Sequence, residues 1–174
     1  VYYQPKVRIS DKSIYGAEAL VRWVRDGQVV TPVRFIPQLE REGSVCRLDY
    51  YMLEQVCGFL KSRLDKGQKI VPVSVNFSRR HLEEIDLVER ITGTIDRFGI
   101  DRSYIEIELT ESEDYQNYEI MSSVIERLKE RGISTSIDDF GTGFSSLNMI
   151  KKVDLDTIKI DKSLIPFDDV NNNK

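Results

Sequence analysis

Several short stretches of this chain each combine one apolar strand face with one polar face, and each carries a charged or amide group near its end. Side chains alternate across a strand, so Val71, Val73 and Val75 oppose Ser74 and Asn76. Ile105, Ile107 and Leu109 likewise oppose Glu106 and Glu108. Ile133, Thr135 and Ile137 oppose Ser134, Ser136 and Asp138, and Ile158 and Ile160 oppose Thr157, Lys159 and Asp161. Earlier in the chain, Gly16, Glu18, Leu20 and Arg22 oppose Ala17, Ala19 and Val21. An open sheet with helices on both sides would bury those polar faces at high cost. A barrel turns them all inward toward one mouth, where barrel sites are assembled from several strands. The expected fold is therefore α/β, with the strands closing toward a barrel.

The intervening segments support that order. Leu48, Met52, Val56, Leu60 and Leu64 recur at helical spacing and mark a long amphipathic helix. Helices are also expected over 83–98, striped by Val88, Ile91, Ile95 and Phe98, and over 115–131, striped by Ile120, Val124 and Leu128; Gly99 and Gly132 end them. Strands are expected over 2–9 and 13–23 around an Asp11-Lys12 turn, and a loop with a short helix over 31–43. From residue 71 onward strands and helices alternate, which implies parallel strands with right-handed crossovers.

The 174 residues suit one domain, spanning 1–174, or part of a larger one. A net charge of −4 disfavours a nucleic-acid polymer as partner. Cys46 and Cys57 fall on one side of the same helix and read as small core residues of a reducing compartment, neither a disulfide nor a zinc site. No apolar run approaches membrane-spanning length and no signal-peptide pattern opens the chain, so a cytoplasmic location without membrane insertion is expected. A start at Val1 and an end in Asn171-Asn172-Asn173-Lys174 suggest a segment of a longer polypeptide.

Asp138 and Asp139 are adjacent carboxylates before a glycine loop. Two such neighbours repel and are costly to bury without a cation. One remedy is a divalent metal or a pair of them; the other reading is an Asp-Gly loop whose Asp139 caps the next helix. Glu18, Asn76, Glu108 and Asp138 at a common mouth make a hard oxygen set suited to Mg²⁺ or Mn²⁺, and Asp139 would serve a second ion in a two-metal phosphoryl displacement. His81, the sole histidine, is expected to be exposed or near a helix cap, which excludes His-based triads and zinc sites built on several histidines. Asp139-Phe140-Gly141 matches the kinase triplet, but the other kinase motifs are missing from the chain.

Tyr3-Gln4-Pro5, Glu18-Ala19-Leu20-Val21-Arg22-Trp23, Phe35-Ile36-Pro37, Val75-Asn76-Phe77-Ser78, Glu108-Leu109-Thr110-Glu111, Asp138-Asp139-Phe140-Gly141-Thr142-Gly143 and Lys159-Ile160-Asp161 stand in the order seen in EAL domains. The chain resembles that family along essentially its whole length. These bacterial phosphodiesterases open cyclic di-GMP to the linear pGpG. The resemblance implies that Glu18, Asn76, Glu108 and Asp138 ligate metal and that Asp139 reaches the second ion. Lys159 is similar to the lysine that holds the attacking water, and Glu111 to the glutamate that braces the loop after Asp139. Gln4 and Arg22 resemble substrate contacts, Arg22 to a phosphate.

Other readings of these residues remain. Glu18 and Glu108 could form an ion-pair network with Arg22 and Lys159, and Lys159 could be only a counter-ion of Asp138. Glu111 could be a helix N-terminal charge, and Gln4 could satisfy backbone groups.

The resemblance stops before the end of the family's pattern. Its Glu-Gly-Val-Glu strand end and Gln-Gly-Tyr segment have no counterpart here, and a full barrel of this kind takes roughly 250 residues. The resemblance implies an incomplete domain of the EAL type, a TIM-like (β/α)8 barrel with about six strands here, whose isolated turnover is weak. The alternatives are a cyclic di-GMP receptor that does not cleave its ligand, or a scaffold module. By resemblance, a homodimer and a covalently linked sensory or GGDEF-type domain are the expected partners.

Overall fold

A computed structural model describes residues 1–110, 115–141 and 153–165. Its centre is a six-stranded sheet in the order β1 (Tyr2–Val7), β2 (Ile14–Leu20), β5 (Val73–Phe77), β6 (Ile105–Thr110), β7 (Ser134–Phe140), β8 (Thr157–Ile160). β1 runs antiparallel to β2, and every later pairing in this sheet is parallel. The curled sheet with helices is consistent with an incomplete (β/α) barrel of the expected type.

Alternation decides which face meets the helices. Val73, Val75, Phe77, Ile105, Ile107, Leu109 and Ile137 are buried in one apolar cluster with α2 (Val45–Asp65), α3 (Leu87–Phe98) and α4 (Tyr115–Glu130). From α2 come Met52, Leu53, Val56, Cys57 and Leu60; from α3, Leu87, Val88, Ile91 and Ile95. Burying each such side chain contributes roughly 1.5–3 kcal/mol, so this face provides the main driving force for closing the layers. The opposite face is polar in two tiers. In the lower tier the Lys6 ammonium reaches Glu106 at 2.6 Å, and the Ser136 hydroxyl donates to the same carboxylate at 3.1 Å. The upper tier holds Glu18, Asn76, Glu108, Asp138 and Lys159.

Several expectations are corrected. The second strand does not run through 13–23: β2 stops at Leu20, and Trp23–Arg25 (β3) pairs with Gln28–Val30 (β4) as a separate hairpin. Asp26 and Gly27 both have positive φ, 51° and 74°, which matches the tight turn that favours Asp-Gly. In α4 the buried stripe is Met121, Val124, Ile125 and Leu128, while Ile120 is exposed. Leu64, at the end of α2, is also exposed. Residues 31–43 do form a short helix, α1 (Ile36–Arg41), after a 3₁₀ turn.

Of the two readings offered for His81, the cap-proximal one holds, since it lies in the turn capped by Ser78, and the exposed one is corrected, since it is 0% exposed. It lies in the 3₁₀ turn Arg79–Glu83 after β5, with Nε2 3.1 Å from Asp49 Oδ2 and Nδ1 2.9 Å from Glu84 Oε1. Two carboxylate partners make a buried imidazole tolerable. Cys57 is buried as expected, but Cys46 is only half-buried and lies beside this cluster. Glu111, residues 142–147 and the expected short helix after the glycine loop lie outside the described residues.

Candidate functional site

Each upper-tier group is delivered by a different strand. Glu18 comes from β2, Asn76 from β5, Glu108 from β6, Asp138 from β7 and Lys159 from β8. Asn76 lies opposite Glu108 in the β5–β6 register, and Asp138 lies two residues further along, opposite Thr110. All project from the polar face, and they meet. Glu18, Glu108 and Asp138 each offer a carboxylate oxygen, and these oxygens lie within 4.8 Å of one another. The Asn76 amide donates to Glu18 Oε1 at 3.2 Å, which leaves its own oxygen as a further donor atom.

Lys159 sits among these groups. Its Nζ lies 3.2 Å from Glu18 Oε2 and 3.0 Å from Asp138 Oδ1, and it also donates to Glu108 Oε1. Three carboxylates around one ammonium leave two formal negative charges, the charge of one divalent ion. Glu108 is fully buried, and its Oε2 has no hydrogen-bond partner among the described residues. An orphaned buried carboxylate oxygen in an all-oxygen set fits a hard divalent cation.

The electrostatics follow from this crowding. Burial, joined by the charges of Glu18 and Asp138, pushes the Glu108 carboxyl up to about 7 against the opposing pull of Lys159. For Asp138 burial acts upward, but the hydrogen bond and charge of Lys159 outweigh it and hold the carboxyl below its ordinary value. Burial would lower Lys159, yet Glu108, Asp138 and Glu18 together raise it, so the side chain stays an ammonium at neutral pH.

Asp139 stands apart from the three converging carboxylates. It is exposed and has φ 54°, at an irregularity where the β7–β8 register shifts between Ile137 and Phe140. That conformation is unusual for a side-chain-bearing residue and turns Asp139 away from the ladder alternation. Burial, then the neighbouring Asp138 and Asp161, raise its carboxyl.

The two expected substrate contacts lie on opposite sides of the cluster. Gln4 is exposed, pairs with Glu18 in the β1–β2 register, and lines a cavity of about 260 Å³ with Glu18 and Lys159. Arg22 lines another cavity of about 250 Å³ with Asn76 and Ser78, and its guanidinium donates to the Val21 carbonyl at 2.8 Å. Asn76 lines the Arg22 cavity, Glu18 lines the Gln4 cavity, and the two side chains are hydrogen-bonded to each other. Sequence reasoning passed over the Asp49–His81–Glu84 group, although Asp49 accepts from the Ser78 backbone N–H just after Asn76 at 2.8 Å. The one usable signal was a histidine in a turn directly after a polar strand end.

Comparisons with known proteins agree with this layout. The sequence profile described as "EAL domain" matches residues 1–174. The chain is 36% identical over 166 residues to the Pseudomonas aeruginosa protein named cyclic di-GMP phosphodiesterase NbdA, covering 95% of this chain and 21% of that protein. It is 31% identical to MucR of the same organism, named a bifunctional diguanylate cyclase/cyclic di-GMP phosphodiesterase, covering 95% of this chain and 24% of MucR. The chain thus spans about a fifth to a quarter of the length of these curated relatives. Among solved structures, one described as the PaMucR phosphodiesterase in a c-di-GMP complex superposes with TM-score 0.84 at 31% identity, over 92% of this chain and 66% of that one. The FimX EAL domain from Pseudomonas aeruginosa shares the fold, with TM-score 0.81 at 18% identity, over 92% of this chain and 64% of that one. A match over every residue, on the strands that carry the site, settles the family: the chain belongs to the EAL domain family.

Proposed function

We propose that this chain forms the strand-borne part of a metal-dependent phosphodiesterase that opens one phosphodiester bond of cyclic di-GMP to give pGpG. The observation that carries this reading is the meeting of Glu18, Glu108 and Asp138, from three different strands, within 4.8 Å. The names of NbdA and MucR, both cyclic di-GMP phosphodiesterases, support the substrate class.

Glu18, Asn76, Glu108 and Asp138 would hold one Mg²⁺ or Mn²⁺, and Asp139 would serve a second. Such ions lower the pKa of a bound water and neutralise charge on the phosphodiester. Lys159, kept as an ammonium by three carboxylates, has no lone pair with which to take a proton. Its task is to donate hydrogen bonds, and so to hold the water or a phosphate oxygen in place. Arg22 suits a phosphate, whose geometry a guanidinium matches in a bidentate fashion. Gln4, uncharged, exposed and lining the cavity with Glu18 and Lys159, suits the neutral part of the ligand. Glu111 would brace the loop after Asp139. We place the domain on the cytoplasmic side, paired as a homodimer and linked to a sensory or GGDEF-type domain, as the bifunctional name of MucR suggests. Among the described residues no helix is long and apolar enough to cross a membrane.

The test is to incubate this chain, and a version extended through the family's remaining strands, with cyclic di-GMP and Mg²⁺ or Mn²⁺. The expected product is pGpG from the extended form, with turnover abolished by Glu18→Ala. Binding without cleavage by the extended form would establish a receptor instead, and undiminished turnover in Glu18→Ala would refute the metal assignment.

A further inference from the structure

A second group of metal-competent side chains lies away from the rim, behind the turn that follows Asn76. Cys46, in the first turn of α2, meets His81 and Glu84 so that Sγ, a ring nitrogen and a carboxylate oxygen all lie within 4.8 Å of one another. The donor set differs in kind from the first. Sulfur, imidazole nitrogen and one carboxylate suit a borderline-soft ion such as Zn²⁺, whereas the rim offers only oxygen.

The surroundings are arranged as they are around a metal-bound histidine. His81 Nε2 faces Asp49 Oδ2 at 3.1 Å, so Asp49 can accept the ring N–H and fix the imidazole's orientation. Asp49 is itself fixed by the Ser78 backbone N–H at 2.8 Å. The other ring nitrogen, Nδ1, then points toward Glu84 and Cys46. An outer carboxylate that orients a ligating histidine from its far side is the usual companion of a zinc ligand. Asp49 is on the wrong side of the ring to share the ion, which leaves three protein ligands and one position toward solvent, where Cys46 and Glu84 are partly exposed. Glu84 Oε2 is occupied by the Tyr50 hydroxyl at 2.7 Å and by Arg90 at 2.7 Å, so its Oε1 is the oxygen turned to the group.

We propose that Cys46, His81 and Glu84 form a zinc-type metal site, oriented by Asp49, that clamps α2 to the turn carrying the chain out of β5. Without metal, burial and the Glu84 and Asp49 carboxylates push the Cys46 thiol up to about 11, so it serves as a hydrogen-bond donor to Glu84. With the single N–H of a neutral imidazole on Nε2 toward Asp49, Nδ1 offers its lone pair to the ion; loading releases the Cys46 thiol proton to buffer, and the ion takes its place. The site lies on other residues than the rim and does not depend on the activity proposed above.

The test is a Co²⁺ titration of the 174-residue chain, read by absorbance, with Zn²⁺ competition and thermal denaturation in parallel. Expected are tetrahedral ligand-field bands together with a thiolate-to-cobalt charge-transfer band, both bleached by Zn²⁺, and a rise in Tm on adding Zn²⁺. Cys46→Ser is a conservative change at a half-buried position; its fold is checked by circular dichroism. It should lose the charge-transfer band and show a smaller Zn²⁺-induced rise in Tm than the parent. Asp49→Asn should keep the band but bind about 10–100-fold more weakly. Glu18→Gln should leave the thiolate-to-cobalt charge-transfer band unchanged. No cobalt binding, binding without the thiolate band, or a band that survives Cys46→Ser would each overturn the proposal.

Discussion

Removing the Lys159 ammonium should separate two properties that the rim combines. The side chain balances Glu18, Glu108 and Asp138, so Lys159→Met leaves those carboxylates facing one another, and breaking such a buried pair costs about 3–5 kcal/mol. The same change removes a positive charge next to the proposed ion. The metal-free variant should therefore melt lower, while its Mn²⁺ affinity by calorimetry should rise about tenfold or more, well within the roughly 4 kcal/mol of a close charge pair. Turnover in the extended form should fall. Weaker Mn²⁺ binding in Lys159→Met would show that the lysine supports the ion and does not compete with it. A different residue sets an alkaline limit. Cys57 is 0% exposed, and burial pushes its thiol up to about 12. The folded chain holds this proton more tightly than the unfolded chain, where a cysteine titrates near ~8.5. The stability it contributes is therefore intact below that value and declines as pH rises past it. Tm should fall above pH ~8.5, and Cys57→Ala should make the decline shallower; an unchanged slope would contradict this.

At the scale of elements, the strands were easier to read than their ends. Val73, Val75, Ile105 and Ile107 alternate cleanly with polar neighbours, and each is buried in the helix-facing layer. The break after Leu20 was not legible, because Val21-Arg22-Trp23 continues the alternation that β2 begins. What interrupts it is the separate β3–β4 hairpin, and the Asp26-Gly27 pair was its signal. The burial of His81, though not its place near a cap, was hidden for another reason: its partner Asp49 lies on α2, far away in sequence, and nothing local marks it as buried. In α4 the periodic pattern had the right period but began one residue early, at Ile120 in place of Met121. The β7–β8 junction offers a direct test. Gly141 has φ 99°, and a Cβ placed there would lie 2.0 Å from the Leu164 side chain. Gly141→Ala should therefore destabilise the chain by at least about 1–2 kcal/mol from the backbone alone, measured by denaturant unfolding. Ile95→Ala, in the fully buried stripe of α3, should cost about 2–5 kcal/mol in the same experiment. A Gly141→Ala variant as stable as the parent would mean that the turn after Asp139 is not held in this conformation.

For the whole molecule, the polar inner faces carried the decisive information. Carboxylates and an amide spread over many positions made sense only if a curled sheet brought them to one rim, and Glu18, Glu108 and Asp138 do converge there. What alternation left open was which residues leave the ladder: Asp139 does so through its positive φ, and Gln4 and Arg22 end in separate cavities. The central claim is that this rim holds a divalent cation. Its most direct test is the anomalous difference map of a crystal of the chain grown with Mn²⁺, collected near the manganese edge. We predict a peak within roughly 2.0–2.6 Å of oxygens from Glu18, Glu108 and Asp138 together. A map with no peak at those three side chains, at a Mn²⁺ concentration that saturates binding in solution, would contradict the account.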